Sequence, residues 1–322
     1  MRCGVGRRGV LAGMLAVAGC AGRGPDVEAE IARDADAELK RRPDLYSNGQ
    51  ARGWVVRRDG QERGTLWGTV HVRYEGPTVL PRPARERFAA SSSVTVEDLP
   101  GPARRRALDA SFRGALGTPD PDALQALDVG TRVRLREAGV SAREERRLSL
   151  LGLAQAAAQR TAVESGSFLP GGAIVDMNLV GFAGSLDIPV RTLEALDRSP
   201  DPVWADPNGP AAADALRLAL RRADGLHAFG DALLRMYGAG AVGRLLAAAA
   251  AWRATAVDLR HSDASRAAVL AARNRAWVGP LEQTLRLPGT HFVAFGAGHL
   301  PGEEGVVALL RGRGWEVEGM GW

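Results

Sequence analysis

The chain has 322 residues, 42 Lys+Arg against 37 Asp+Glu, and a formal net charge of +5. With 45% hydrophobic and 25% charged residues it reads as globular, which excludes a disordered chain and a multi-span membrane protein. Two cysteines, Cys3 and Cys20, exclude a disulfide scaffold and a cysteine-rich zinc module.

Arg2, Arg7 and Arg8 make a positive start, Val10 to Ala18 is apolar, and Val17-Ala18-Gly19-Cys20 closes the run. An apolar stretch this short cannot span a bilayer core of about 30 Å, so it reads as an export signal covering residues 1–19. Small residues before Cys20 resemble a bacterial lipobox, with lipid on Cys20 as the expected membrane anchor. Arg7-Arg8 also resembles a twin-arginine signal. Removing the signal takes the 42 basic residues to 39, against 37 acidic. Lys40 is the single lysine, so the basicity reflects arginine usage, and no nucleic-acid partner is expected. Residues 20–50 read as a charged tether or a peripheral helix, with the main domain over 51–322.

The main domain opens on a hairpin from Trp54 to Val72, turning at Asp59-Gly60. A helix is expected over Pro83–Ala90 and a strand over Ser93–Val96. Helical composition covers 104–115, 122–138 and 142–164, with core-facing positions near Leu148, Leu151, Leu153 and Ala157. Ser165 to Gly172 reads as a loop. A helix capped by Asp176 then leads to a strand at Ile188–Leu193. Two helices follow over 211–259, broken near Gly238 and Gly240, and a third covers 262–285. A strand at His291–Phe295, a helix at 302–312 and a strand at Trp315–Glu318 close the chain. Strands alternating with helices predict an α/β fold: a largely parallel central sheet in two related halves, with an α-rich middle insertion.

Candidate chemistry falls at strand ends, where open α/β sheets bind ligands. Gly68-Thr69-Val70-His71 ends the second strand, and Gly296-Ala297-Gly298-His299 follows the strand at 291–295. Glu97 and Asp98 follow Ser93–Val96, and Glu194 follows Ile188–Leu193. Two histidines with one or two carboxylates form a ligand set for a divalent metal such as Mn, Co, Fe or Zn. Such a metal lowers the pKa of its bound water and polarises a carbonyl, and a spare carboxylate serves as general base. Taken singly, each residue has a plainer reading: the histidines as turn residues, the glutamates as helix caps or solvated charges. His227 and His261 read as surface residues and His291 as structural. Trp54, Trp67, Trp204, Trp252 and Trp277 read as core or groove-lining, with Trp67 placed to line the site. Nucleophile-elbow, His-Glu-x-x-His, P-loop and Rossmann motifs are absent.

Thr65-Leu66-Trp67-Gly68-Thr69-Val70-His71-Val72 resembles the opening motif of the TraB/GumN family. Val94-Thr95-Val96-Glu97 resembles its glutamate-bearing strand, and Val190 to Glu194 its central segment. Arg273-Asn274-Arg275-Ala276-Trp277 resembles its Arg-Asn helix, and Phe292 to Gly302 its closing motif. The likeness runs in order from about Trp54 to Met320. The second carboxylate differs, since Asp98 adjoins Glu97 where the family often places an acid one residue later. The family includes Tiki-type metal-dependent proteases and is related to haem-binding ChaN and erythromycin-esterase groups. The resemblance implies a site built from both Gly-x-x-His motifs, with His71, His299 and Glu97 on the metal. It implies Glu194 as base or additional ligand, and Arg273 orienting a carboxylate or stabilising an oxyanion. The expected function is an exported, lipid-anchored, metal-dependent hydrolase acting on a peptide or small molecule. The alternatives are a haem- or metal-binding envelope lipoprotein without catalysis, and a structural envelope protein with a vestigial site.

Overall fold

The computed structural model describes residues 25–70, 80–98, 110–111, 113–164, 175–194, 206–220, 223–254 and 260–321. The strands are β1 (Gly53–Arg58), β2 (Gln61–Thr69), β3 (Ser93–Val96), β4 (Val190–Thr192), β5 (His291–Gly296) and β6 (Glu316–Gly319). The helices are α1 (Pro25–Arg41), α2 (Arg82–Ala89), α3 (Pro121–Gln125), α4 (Val129–Glu137), α5 (Ala142–Glu145) and α6 (Leu150–Glu164). They continue as α7 (Val175–Ser185), α8 (Pro210–Ala219), α9 (Ala223–Gly238), α10 (Val242–Ala254), α11 (Arg260–Leu285) and α12 (Val306–Arg311). Ala297–His299 forms a 3₁₀ turn directly after β5.

The expected hairpin is β1–β2. Asp59 and Gly60 take φ of 52° and 71° at its tip, the positive pair that a two-residue hairpin turn requires. The sheet order is β4-β3-β5-β2-β1-β6. Strands β4, β3, β5 and β2 run parallel, and β1 runs antiparallel to β2 and β6. This is the expected α/β architecture with a largely parallel sheet. The two Gly-x-x-His strands, β2 and β5, are its central neighbours, and Thr69 sits opposite Gly296.

Alternation along the strands gives each sheet face its own core. Leu66, Val293 and Phe295 join Trp277, Val278, Leu281 and Leu285 of α11 on one face. Trp67, Val94, Val96, Phe292 and Ala294 pack with Phe88 of α2 and Leu179 of α7 on the other. The α-rich middle forms a third core from Leu135, Leu151, Leu153, Ala157 and Leu216. Helix α1 joins α9 and α10 through Ile31, Ala35, Phe229, Leu233 and Leu245, and Asp36 accepts from Arg244 at 2.8 Å. The charged segment beyond Cys20 is therefore helical over Pro25–Arg41 and packed against the domain.

Several helices are divided more finely than composition implied. The stretch 122–138 is α3 and α4, because Asp128 leaves helical geometry and accepts from the Thr131 N–H to start a new helix. The stretch 142–164 is α5 and α6. Ser141 and Glu144 form a capping box for the first, and Ser149 Oγ accepts from the Gly152 N–H in the second. The stretch 211–259 contains α8, α9 and α10. The expected break near Gly240 is present, with φ of +76°. Of the helix expected over 104–115, residues 104–109 and 112 lie outside the described residues, as do the loop 165–172 and residues 1–24. No helix among the described residues is long and apolar enough to cross a membrane.

Candidate functional site

The topology fixes where a site can form. From β3 the chain crosses to β4 on one side, while from β5 it crosses over β2 and β1 to β6 on the other. The crossovers diverge between β3 and β5, and a crevice opens at the carboxyl ends of strands at such a point. Glu97 follows β3 there, and the Gly296–His299 segment ends β5 there. Glu97 Oε2 accepts the Gly296 backbone N–H at 3.1 Å. The β3–β4 pairing also continues past the strand ends: Leu193 N–H donates to Val96 O at 3.0 Å and Glu194 N–H to Glu97 O at 3.1 Å. That extension places Glu194 beside Glu97.

Helix α11 supplies the cation. Trp277, Val278, Leu281 and Leu285 fall at helical positions i, i+1, i+4 and i+8, so they share the stripe that covers the sheet. Extending this stripe one turn toward the carboxyl edge gives Arg273 and Asn274. Arg273 Nε donates to Glu194 Oε1 at 2.9 Å, and Nη2 donates to Glu97 Oε1 and lies 2.8 Å from Glu194 Oε1. Its guanidinium stacks over the Trp277 ring, 4.7 Å from the centroid. Trp277 Nε1 donates to the same Glu194 oxygen at 3.1 Å. Glu194 is buried, and Glu97 and Arg273 are mostly so. Burial by itself raises the Glu97 pKa. The Arg273 guanidinium, with the His299 ring and the Gly296 N–H beside it, outweighs burial and holds the carboxyl below its ordinary range.

His299 completes the cluster from the 3₁₀ turn. Its ring is buried, 4.3 Å from the Trp277 ring centroid and edge-on to Phe295 at 6.2 Å. Nε2 faces Arg273 Nη1 at 3.4 Å, and Nδ1 lies 2.5 Å from Asn274 Oδ1. Gly68 makes room for this turn: a Cβ there would sit 2.6 Å from Leu300 Cδ1 and 3.1 Å from Ala297.

Of the predicted residues, Glu97, Glu194, Arg273 and His299 therefore meet. His71 lies outside the described residues. Trp67 does not line this cluster; it is fully buried on the opposite sheet face against Phe292, with ring centroids 6.3 Å apart. His291 is structural, as expected, at the amino end of β5 with Ser93 Oγ 2.9 Å from Nδ1. The side chains of His227, His261, Trp204 and Trp252 lie outside the described residues. The sequence pattern assigns no polar role to Asn274 and no hydrogen bond to the Trp277 indole. The signal was available in the helical spacing of 273, 274 and 277 ahead of 278, 281 and 285.

The donor set decides how far a metal fits. Among the described residues no three His, Cys, Asp or Glu side chains group to hold one. Glu97 and Glu194 already pair with a guanidinium, and the outer nitrogen of His299 faces the same guanidinium. With His71 outside the described residues, the predicted His71–His299–Glu97 set is not described as a whole, and the donors that are described hold a guanidinium.

The model of the TraB/PrgY/gumN family matches residues 53–319. No curated protein matches the chain, and no solved structure does.

Proposed function

The chain belongs to the TraB/PrgY/gumN family, and from that premise we propose that it is an exported hydrolase, peptidase-like, anchored by lipid on Cys20. The observation that carries the proposal is the meeting of Glu97, Glu194, Arg273 and His299 at the topological switch point of the sheet. Arg273 is the working cation. A guanidinium held this way binds a substrate carboxylate or the oxyanion that develops during acyl transfer. Glu194 anchors Arg273: its Oε1 already receives the Arg273 and Trp277 N–H groups, which suits holding more than proton abstraction. Glu97 holds the other edge of Arg273 and ties it to β5 through the Gly296 N–H. His299 is the imidazole to which the proposal assigns proton transfer. A divalent metal enters only with His71 as a further donor.

Two measurements test this reading. The purified protein is incubated with a defined peptide mixture, with and without Mn²⁺ or Co²⁺ and a chelator, and products are read by mass spectrometry. Arg273→Ala and His299→Ala should each lower turnover about 10²-fold or more. A folded wild-type protein that hydrolyses nothing in any condition refutes the hydrolase. Metal content of wild type against His71→Ala/His299→Ala then decides whether an ion belongs to the site.

A further inference from the structure

We infer that Asn274 is a positioning residue that locks the His299 imidazole in one tautomer, with its proton on Nδ1 and its lone pair on Nε2, turned toward the site. The inference deepens the proposed role of His299 in the cluster. It follows from counting donors and acceptors around one amide.

An asparagine side chain has one end that only donates and one that only accepts. Asn274 Nδ2 lies 2.7 Å from the backbone carbonyl of Glu304 and 3.4 Å from that of His299. Both partners are carbonyl oxygens, and carbonyl oxygens only accept. Reversing the amide would set its oxygen against both. The NH₂ end is therefore fixed on the carbonyls, and Oδ1 is fixed on the ring side, 2.5 Å from His299 Nδ1. An oxygen at that distance requires a proton on Nδ1. A neutral imidazole carries one proton, so Nε2 presents a lone pair. An independent contact agrees: Arg273 Nη1, which can only donate, lies 3.4 Å from Nε2.

The arrangement is built for this purpose in the sense that both partners are held. Asn274 and His299 are each 3% exposed. Asn274 sits on the helix that carries Arg273, one residue further along, so one rigid element supplies the cation and the tautomer lock together. A histidine whose inner nitrogen is fixed as a donor offers its outer nitrogen as a proton acceptor or as a ligand. The other tautomer would present an N–H there and could do neither.

The fold supplies its own control. His291 Nε2 lies 3.3 Å from the Leu287 carbonyl and Nδ1 lies 2.9 Å from Ser93 Oγ. By the same count its proton sits on Nε2, the opposite tautomer.

The test is a long-range ¹⁵N–¹H spectrum of the full chain labelled at its five histidines, near neutral pH, with signals assigned by loss in His299→Gln and His291→Gln. In wild type, His299 should show a protonated Nδ1 and an unprotonated Nε2, and His291 the reverse. In Asn274→Leu, His299 should move to a mixture or to the other tautomer while His291 stays unchanged. Asn274→Asp, which keeps an accepting oxygen, should keep the Nδ1 proton. A wild-type His299 protonated at Nε2 alone overturns the inference, and so does an unaltered His299 tautomer in folded Asn274→Leu. Should Asn274→Leu fail to fold, the wild-type spectrum and Asn274→Asp still decide. The spectrum reads no turnover, so an inactive protein with the expected tautomers would sink the hydrolase and leave the lock standing.

Discussion

Arg273→Leu is the most informative single change for the fold, because it removes the cation and keeps an apolar stem against Trp277. Arg273 and Glu97 are 17% and 16% exposed at the side chain, and Glu194 is 3% exposed. Breaking such a largely buried pair by deleting one partner costs about 3–5 kcal/mol. With an unfolding entropy near 2.1 cal/mol/K per residue, a chain of this length loses about 1.5 °C per kcal/mol, so Tm should fall by about 4–7 °C. The pH dependence carries the sharper signature. In wild type, burial acts to raise the Glu97 pKa, but Arg273, His299 and the Gly296 N–H more than offset it. A carboxyl held below its unfolded value stabilises the fold above that value, and the contribution is lost as pH falls through the folded one. Without Arg273 much of that contribution is gone at neutral pH, where the carboxylate must stay charged beside its buried neighbour. The deficit of Arg273→Leu should thus be largest near pH 7 and shrink toward about pH 4. Thermal unfolding followed by circular dichroism at both pH values reads this directly. A neutral-pH shift under about 1 °C, or one equal at the two pH values, refutes the reasoning.

The other expectations concern neighbouring parts of the structure. Trp277→Phe keeps a ring under Arg273 but removes the Nε1 donor to Glu194, 3.1 Å away, and should cost about 1–3 kcal/mol by chemical denaturation. An unchanged midpoint would mean that the indole bond contributes nothing. His291 has its pKa lowered first of all by burial, so the unfolded chain binds the extra proton and wild-type stability should fall as pH drops below 6.5. His291→Asn should lose that slope in unfolding free energy against pH, whatever its stability at neutral pH. Gly49→Ala would set a Cβ 2.5 Å from Gly243 Cα and 2.7 Å from its nitrogen, at the start of α10. It should lower stability by about 1–3 kcal/mol, and a neutral result in a denaturant titration would count against this close approach.

How much could be seen in advance depends on the range of the interaction involved. The hairpin was legible because Asp59-Gly60 states its own turn chemistry within two residues. The strand at Ser93–Val96 was legible from β-branching alone. The break between α3 and α4 was missed because Asp128 acts through two local bonds, from the Thr131 N–H and hydroxyl, which composition over a window averages away. Helix α1 was open to two readings, since its charged composition favours solvent while Ile31 and Ala35 anchor it only against α9 and α10.

The same distinction separates the parts of the site. Sequence by itself determined the class of fold and put candidate residues at strand ends, because periodicity, turn residues and short motifs are local properties of the chain. It did not determine which of those residues meet. Glu97 and Glu194 are brought together by strand pairing across a long crossover, and the divergence of the crossovers between β3 and β5 is a property of strand order. The position of Arg273 was set by the direction in which α11 lies on the sheet, which aims one end of an apolar stripe at the carboxyl edge. The tertiary structure therefore decided that a guanidinium stands between the two glutamates, and that an amide one residue along the helix holds the histidine. Both outcomes depend on contacts between residues far apart in the chain, which no local pattern encodes.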